Sequence, residues 1–141
     1  LKEKLLEEHT LEAVFSMPDE LFVNSKVGVV TCIMVFKAHQ PHPTNYETYF
    51  GYWKDDGFTK RKITGRANYF HNWESIKQNW INGYQSKNAV AGYSIKKNVS
   101  ASDEWCAEAY METDYSKLDK KEFEDVLKNF ASFKFMNEAQ E

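Results

Sequence analysis

The sequence predicts an α/β domain, and three observations carry that prediction. Residues 27–36 form an apolar run on both alternating faces, rich in β-branched side chains, which is the pattern of a strand sandwiched between two layers. Trp73, Ile76, Lys77, Trp80, Ile81 and Tyr84 recur at helical spacing. The same spacing returns in Phe123, Val126, Leu127, Phe130 and Lys134. With 141 residues the chain has room for a single domain, and folding at this size buries roughly 68% of the unfolded surface. A content of 42% hydrophobic and 16% aromatic residues excludes the signature of disorder.

Taken in order, the elements begin with a helix. Leu1, Leu5 and Leu6 share one face while Glu3, Glu7 and Glu8 lie elsewhere, so residues 1–9 read as the last turns of an amphipathic helix, an opening that predicts removal of preceding chain. Alternation of Leu11, Ala13, Phe15 and Met17 predicts a short strand, ended by Pro18, which has no donor for a ladder. Residues 18–26 form a polar loop anchored by Leu21 and Phe22. The sandwiched strand then places Val29, Thr31, Ile33 and Val35 on one face and Val30, Cys32, Met34 and Phe36 on the other. Pro41 and Pro43, flanking His42, predict an extended linker.

An aromatic and basic hairpin is expected over residues 45–66, with alternating aromatics from Tyr46 to Trp53 and a turn at Lys54-Asp55-Asp56-Gly57. A helix over 72–84 follows, with Asn72 as its cap and Gly83 weakening its end. Residues 86–104 read as loop with one extended stretch near 93–99, and Trp105, Ala109 and Tyr110 predict a short helix. Asp119 with Glu122 makes a capping-box-like start for a C-terminal helix over 119–134, whose Phe/Leu face should dock.

Eighteen Lys and Arg against 21 Asp and Glu give a net charge of −3, so the molecule as a whole has no polycationic field for nucleic acid, and only local basic patches remain. Cys32 and Cys106 lack CxxC spacing and no apolar leader precedes them, which predicts a reducing cytoplasm. The longest apolar run is half of a membrane span. Six scattered glycines exclude a phosphate-cradling fingerprint. His39 and His42 sit in a solvated loop with spacing too weak for a metal site, Cys32 reads as a small buried hydrophobe, and Cys106 has no base partner. Asp55 and Asp56 serve turn geometry, and Glu104, Glu108, Glu112 and Asp114 form an acidic stretch that reads as a solvated face, against the alternatives of capping helices, binding a basic partner surface or lining a site. Lys54, Lys60, Arg61, Lys62 and Arg66 place five positive charges on or beside the aromatic hairpin. There they suit phosphates while the rings suit unpaired bases. The competing reading is a lysine-protected edge strand that needs no ligand.

The segments LLEEHTLEAVFSMPDELF and VGVVTCIMVFKA resemble the end of the methyltransferase domain in modification subunits of type I restriction-modification systems, the S-adenosylmethionine-dependent adenine-N6 DNA methylases. The matching positions are Leu6 and His9, Leu11, Val14 and Pro18, Leu21 and Phe22, and Gly28 through Phe36, and FGYWKDDGFTKRK and DEWCAEAYMETDYSKL resemble the continuation. The resemblance implies the C-terminal part of a Rossmann-like sheet ending in an antiparallel hairpin, with residues 11–17 and 28–37 as its two final strands and the last one inserted between neighbours. It implies S-adenosylmethionine for the full-length protein, with DNA and a specificity subunit as partners. The family's catalytic Asn-Pro-Pro-Tyr/Phe motif needs adjacent prolines, and Pro18, Pro41 and Pro43 are all separated, so no catalytic or cofactor residue carries over to this chain. Alone it should be inactive, and the flank of the 27–36 strand left without upstream strands should pair with the chain's own hairpin or a second copy. The alternative is a stand-alone module that holds a protein or nucleic acid with the aromatic hairpin.

Overall fold

A computed structural model describes residues 1–22, 29–62, 64–112 and 119–138. Helix α1 (Lys2–Glu8) is closed by the His9 amide on Leu5 O at 2.8 Å and leads directly into β1 (Thr10–Ser16). Strands β2 (Cys32–Lys37), β3 (Glu47–Tyr52) and β6 (Ser94–Asn98) complete a mixed sheet of order β2-β1-β3-β6. Pairing is antiparallel for β1 with β2 and for β3 with β6, and parallel for β1 with β3. A separate two-stranded hairpin joins β4 (Thr59–Arg61) to β5 (Gly65–Ala67). Helix α2 (Trp73–Ser86), a 3-10 turn at Ala107–Ala109 and helix α3 (Lys120–Glu138) finish the described chain.

The sheet is covered on both faces. Leu11, Val14 and Phe50 pack with Val99, Trp105 and Ala107, backed by Leu5 and Leu6 of α1. On the opposite face Ala13, Phe15 and Tyr49 pack with Trp53 and with Trp80 of α2. Strict alternation puts Leu11 with Ala13 and Phe15, but the register shifts between Leu11 and Ala13, so Glu12 is a bulged residue and Leu11 joins the Val14 face. Glu12 then reaches Lys87 and Lys37 instead of the core.

Four expectations are corrected. The apolar strand expected to be sandwiched is β2, an edge strand in which Cys32, Ile33 and Met34 are exposed, while β1 is the strand buried on both faces. Lateral position goes with this: among the described residues β1 has a paired neighbour on each side and β2 has only one. The part of that strand at residues 27–28 lies outside the described residues. The expected 45–66 hairpin does not form about the Lys54–Gly57 turn: pairing within that range is confined to β4 with β5, and β3 does not pair with β4. Instead β3 inserts between β1 and β6, because Tyr49 and Phe50 point to opposite faces and both find a core there. The short helix after Trp105 is a single 3-10 turn, held where Ala107 donates its amide to Ser16 Oγ at 3.0 Å. Finally, the α3 face bearing Phe123, Val126, Leu127, Phe130 and Phe133 does not dock but is exposed, more than half in every case.

Candidate nucleic-acid interface

The Lys54-Asp55-Asp56-Gly57 segment turns the chain, though not between paired strands. The Asp55 carboxylate accepts the Gly57 amide at 2.8 Å and the Asp56 carboxylate accepts the Phe58 amide at 3.0 Å. Gly57 has φ of 74°, and a Cβ there would collide with Asn72 and lie 2.9 Å from Ile76 Cδ1, so only glycine lets this turn sit against the start of α2. Phe58 packs edge-on against Trp73, with ring centroids 5.8 Å apart. These contacts fix the β4–β5 hairpin to α2.

The five basic candidates separate into two groups. Arg66 makes a bidentate pair with Asp56, both contacts 2.6 Å, with side chains only 11% and 8% exposed. Lys54 contacts Asp19 at 2.5 Å and Glu108 at 2.8 Å. Burial lowers the Lys54 pKa, but hydrogen bonds to Asp19 and Glu108 outweigh it and hold the ammonium above its ordinary value. Glu108 moves the other way: burial raises its pKa, and hydrogen bonds from Lys54 and Ser16 bring it below the ordinary value. It is thus a member of a partly buried network, not of a solvated acidic face. Asp114 lies outside the described residues.

Lys60, Arg61 and Lys62 are exposed on β4 and the turn after it. Lys60 meets Glu20 at 3.5 Å in an exposed pair of little energetic weight. The Arg61 guanidinium lies 4.2 Å from the Tyr69 ring centroid, a cation–π contact that holds the side chain while leaving its charge unneutralised. The geometry therefore presents three consecutive cations on a hairpin pinned by a buried ion pair. The Arg61 platform, Tyr69, was not singled out in the sequence, nor were the exposed Lys96 and Lys97 of β6, although their adjacency in an extended stretch was a visible signal.

The histidines have structural work. His42 Nδ1 accepts the Leu11 amide at 3.2 Å and His9 Nδ1 accepts the His39 amide at 3.1 Å. Burial lowers the His42 pKa, in keeping with an acceptor nitrogen. Among the described residues no three His, Cys, Asp or Glu side chains converge on a metal-sized site, and no helix is long and apolar enough to cross a membrane.

The fold is a mixed α/β sheet that carries an exposed basic hairpin, and comparison gives the family. Residues 1–134 match the N-6 DNA Methylase family, and the chain belongs to it. It is 29% identical over 136 residues to the type II restriction enzyme and methyltransferase RM.BcgI of Heyndrickxia coagulans. That match covers 95% of this chain and 21% of the relative, so the chain spans about a fifth of the relative's length. No solved structure matches it.

Proposed function

We propose that this chain supplies the closing strands of the catalytic sheet and a DNA-backbone contact to an S-adenosylmethionine-dependent adenine-N6 methylase of a restriction-modification system. The observation that carries the reading is the exposed Lys60-Arg61-Lys62 triplet on its pinned hairpin, in a member of a DNA methylase family. Phosphate contacts of this kind set affinity and register without reading sequence. In this reading β1 and β2 are the final antiparallel pair of a Rossmann-like sheet, and the free edge of β2 is where a preceding strand of the full-length protein adds.

The residues present do not fit S-adenosylmethionine itself. Gly57, Gly65 and Gly92, the glycines at positive φ, lie in three separate turns, and no glycine-rich loop forms among the described residues. With no adjacent prolines either, the chain holds no catalytic motif and transfers no methyl group alone. Cofactor and catalytic residues belong to the remainder of the protein. A type I modification subunit, working with a separate specificity subunit, follows from the resemblance. The similarity to RM.BcgI favours a second reading, in which modification and restriction share one polypeptide. DNA cleavage by the full-length protein without an added restriction subunit would select the second.

The test replaces Lys60, Arg61 and Lys62 with Gln in the full-length methylase and measures DNA affinity against salt. Loss of three phosphate contacts should reduce the slope of log K against log salt by roughly 2–3, uniformly across DNA sequences. An unchanged slope removes the hairpin from the interface.

A further inference from the structure

Phe70 is 70% exposed, more than any other Phe, Tyr or Trp among the described residues, and its ring meets no other aromatic ring there. It stands in the short turn between β5 and α2. In that turn the Tyr69 amide donates to Ala67 O at 3.0 Å and the His71 amide to Asn68 O at 3.4 Å. His71 has φ of 54°, the left-handed region that residues other than glycine adopt at a cost. The chain thus keeps a large apolar ring in water on a backbone that is itself held in an unfavourable conformation.

The turn is fastened on both sides. Tyr69, the residue before Phe70, has its ring centroid 4.2 Å from the Arg61 guanidinium, and its hydroxyl hydrogen-bonds that of Thr64 in the turn between β4 and β5. Trp73, three residues after Phe70, packs edge-on against Phe58 at 5.8 Å and Trp80 at 5.4 Å. Phe70 therefore has a supported base directly beside the basic triplet. The surrounding charge selects what the ring can meet. From Gly57 to Trp73 the sequence holds Lys60, Arg61, Lys62 and Arg66 and no Asp or Glu. Nucleic acid complements both features at once, offering phosphates to the cations and stacked base pairs to the ring.

We propose that Phe70 is a wedge: it enters a base step of duplex DNA whose phosphates Lys60, Arg61 and Lys62 hold, partly unstacks the two base pairs and kinks the helix. The inference rests on the DNA reading and deepens it. Phosphate contacts alone bind every sequence alike, whereas a wedge adds a dependence on how readily a step unstacks. Pyrimidine–purine steps such as TA are therefore favoured over the stiff steps of A-tracts. The support described above suits this role, because a ring that parts stacked bases must not yield. Phe70 has no share in holding the hairpin, which rests on the Arg66–Asp56 pair and the Phe58–Trp73 contact, so its removal leaves the triplet in place.

The test uses the full-length methylase and a short duplex with a central TA step and donor and acceptor dyes at its ends. The natural protein should draw the ends together, as a kink of roughly 20–90° requires. Phe70→Ala should lose that change and weaken binding by about fivefold or more, the lower end of what a base–aromatic contact contributes. Its slope of log K against log salt should stay that of the natural protein, because no phosphate contact is lost. Phe70→Leu, also a wedge side chain, should restore most of the bend. Replacing the TA step by an A-tract should weaken the natural protein and leave Phe70→Ala unaffected. No bend with the natural protein, or the same bend with Phe70→Ala, overturns the wedge. So does a lowered urea midpoint for Phe70→Ala, which would place the ring against the rest of the methylase. If the wedge fails while the triple Gln variant still loses salt dependence, the phosphate contact stands and only the wedge is wrong.

Discussion

At the scale of single residues, the two charged groups withdrawn from solvent explain how the exposed ones are held. Arg66 and Asp56 fasten β5 to the turn that precedes β4. Removing one partner of a pair this buried leaves the other charge uncompensated, so Arg66→Ala should cost about 3 kcal/mol in urea denaturation, well beyond the effect of an exposed pair. A loss no larger than that of Lys60→Ala would show that Asp56 is hydrated. Glu108 carries the pH dependence. Its folded-state pKa is depressed, so its stabilising effect is present above the ordinary carboxyl value of 4.5 and is lost as pH falls through the folded value. Stability should therefore fall below about pH 4.5 more steeply in the natural chain than in Glu108→Gln. Equal slopes, measured by urea titration at stepped pH, would contradict the network. Neither pairing was legible beforehand: Asp56-Gly57 reads as turn chemistry and Glu108 as surface acid, because a sequence shows local turn propensity but not which distant cation returns to it.

At the scale of elements, the free edge of β2 is the exposed liability of the fold. Ile33 and Met34 are 48% and 39% exposed on a strand that, among the described residues, has a partner on one side only. Such edges pair with other strands unless blocked. The isolated chain should self-associate, with a light-scattering mass that rises with concentration, and Met34→Lys should restore the monomer. A concentration-independent monomer mass in the natural chain would count against this. Periodicity located the α2 helix and the β6 stretch, while the antiparallel partnership of β1 with β2 was what the family resemblance implied. Lateral order followed from neither. A two-faced apolar strand and a one-faced strand differ in what flanks them, and β2 carries the pattern of an inner strand while β1, with Glu12 bulged out, carries an imperfect one. The aromatic alternation of β3 was legible as strand, but its insertion between β1 and β6 depends on contacts far apart in the chain.

At the scale of the whole molecule, the proposed function makes this sheet part of a larger one. An inner-strand sequence at an edge, an α3 face of exposed Phe, Val and Leu, and a family match reaching residue 134 agree with a chain whose neighbours lie in the rest of a DNA methylase. The basic triplet was visible as composition, while the division into held and presented charges required the fold. Hydrogen exchange at β2 tests the central claim most directly, comparing the 141-residue chain with the full-length methylase. In an antiparallel edge strand the amides that point away from the partner are unpaired. In the full-length protein these outward amides of β2 should become as slow to exchange as those of β1. If they exchange as fast as in the isolated chain at concentrations where it is monomeric, no preceding strand adds at this edge, and β2 does not belong to the interior of a methyltransferase sheet.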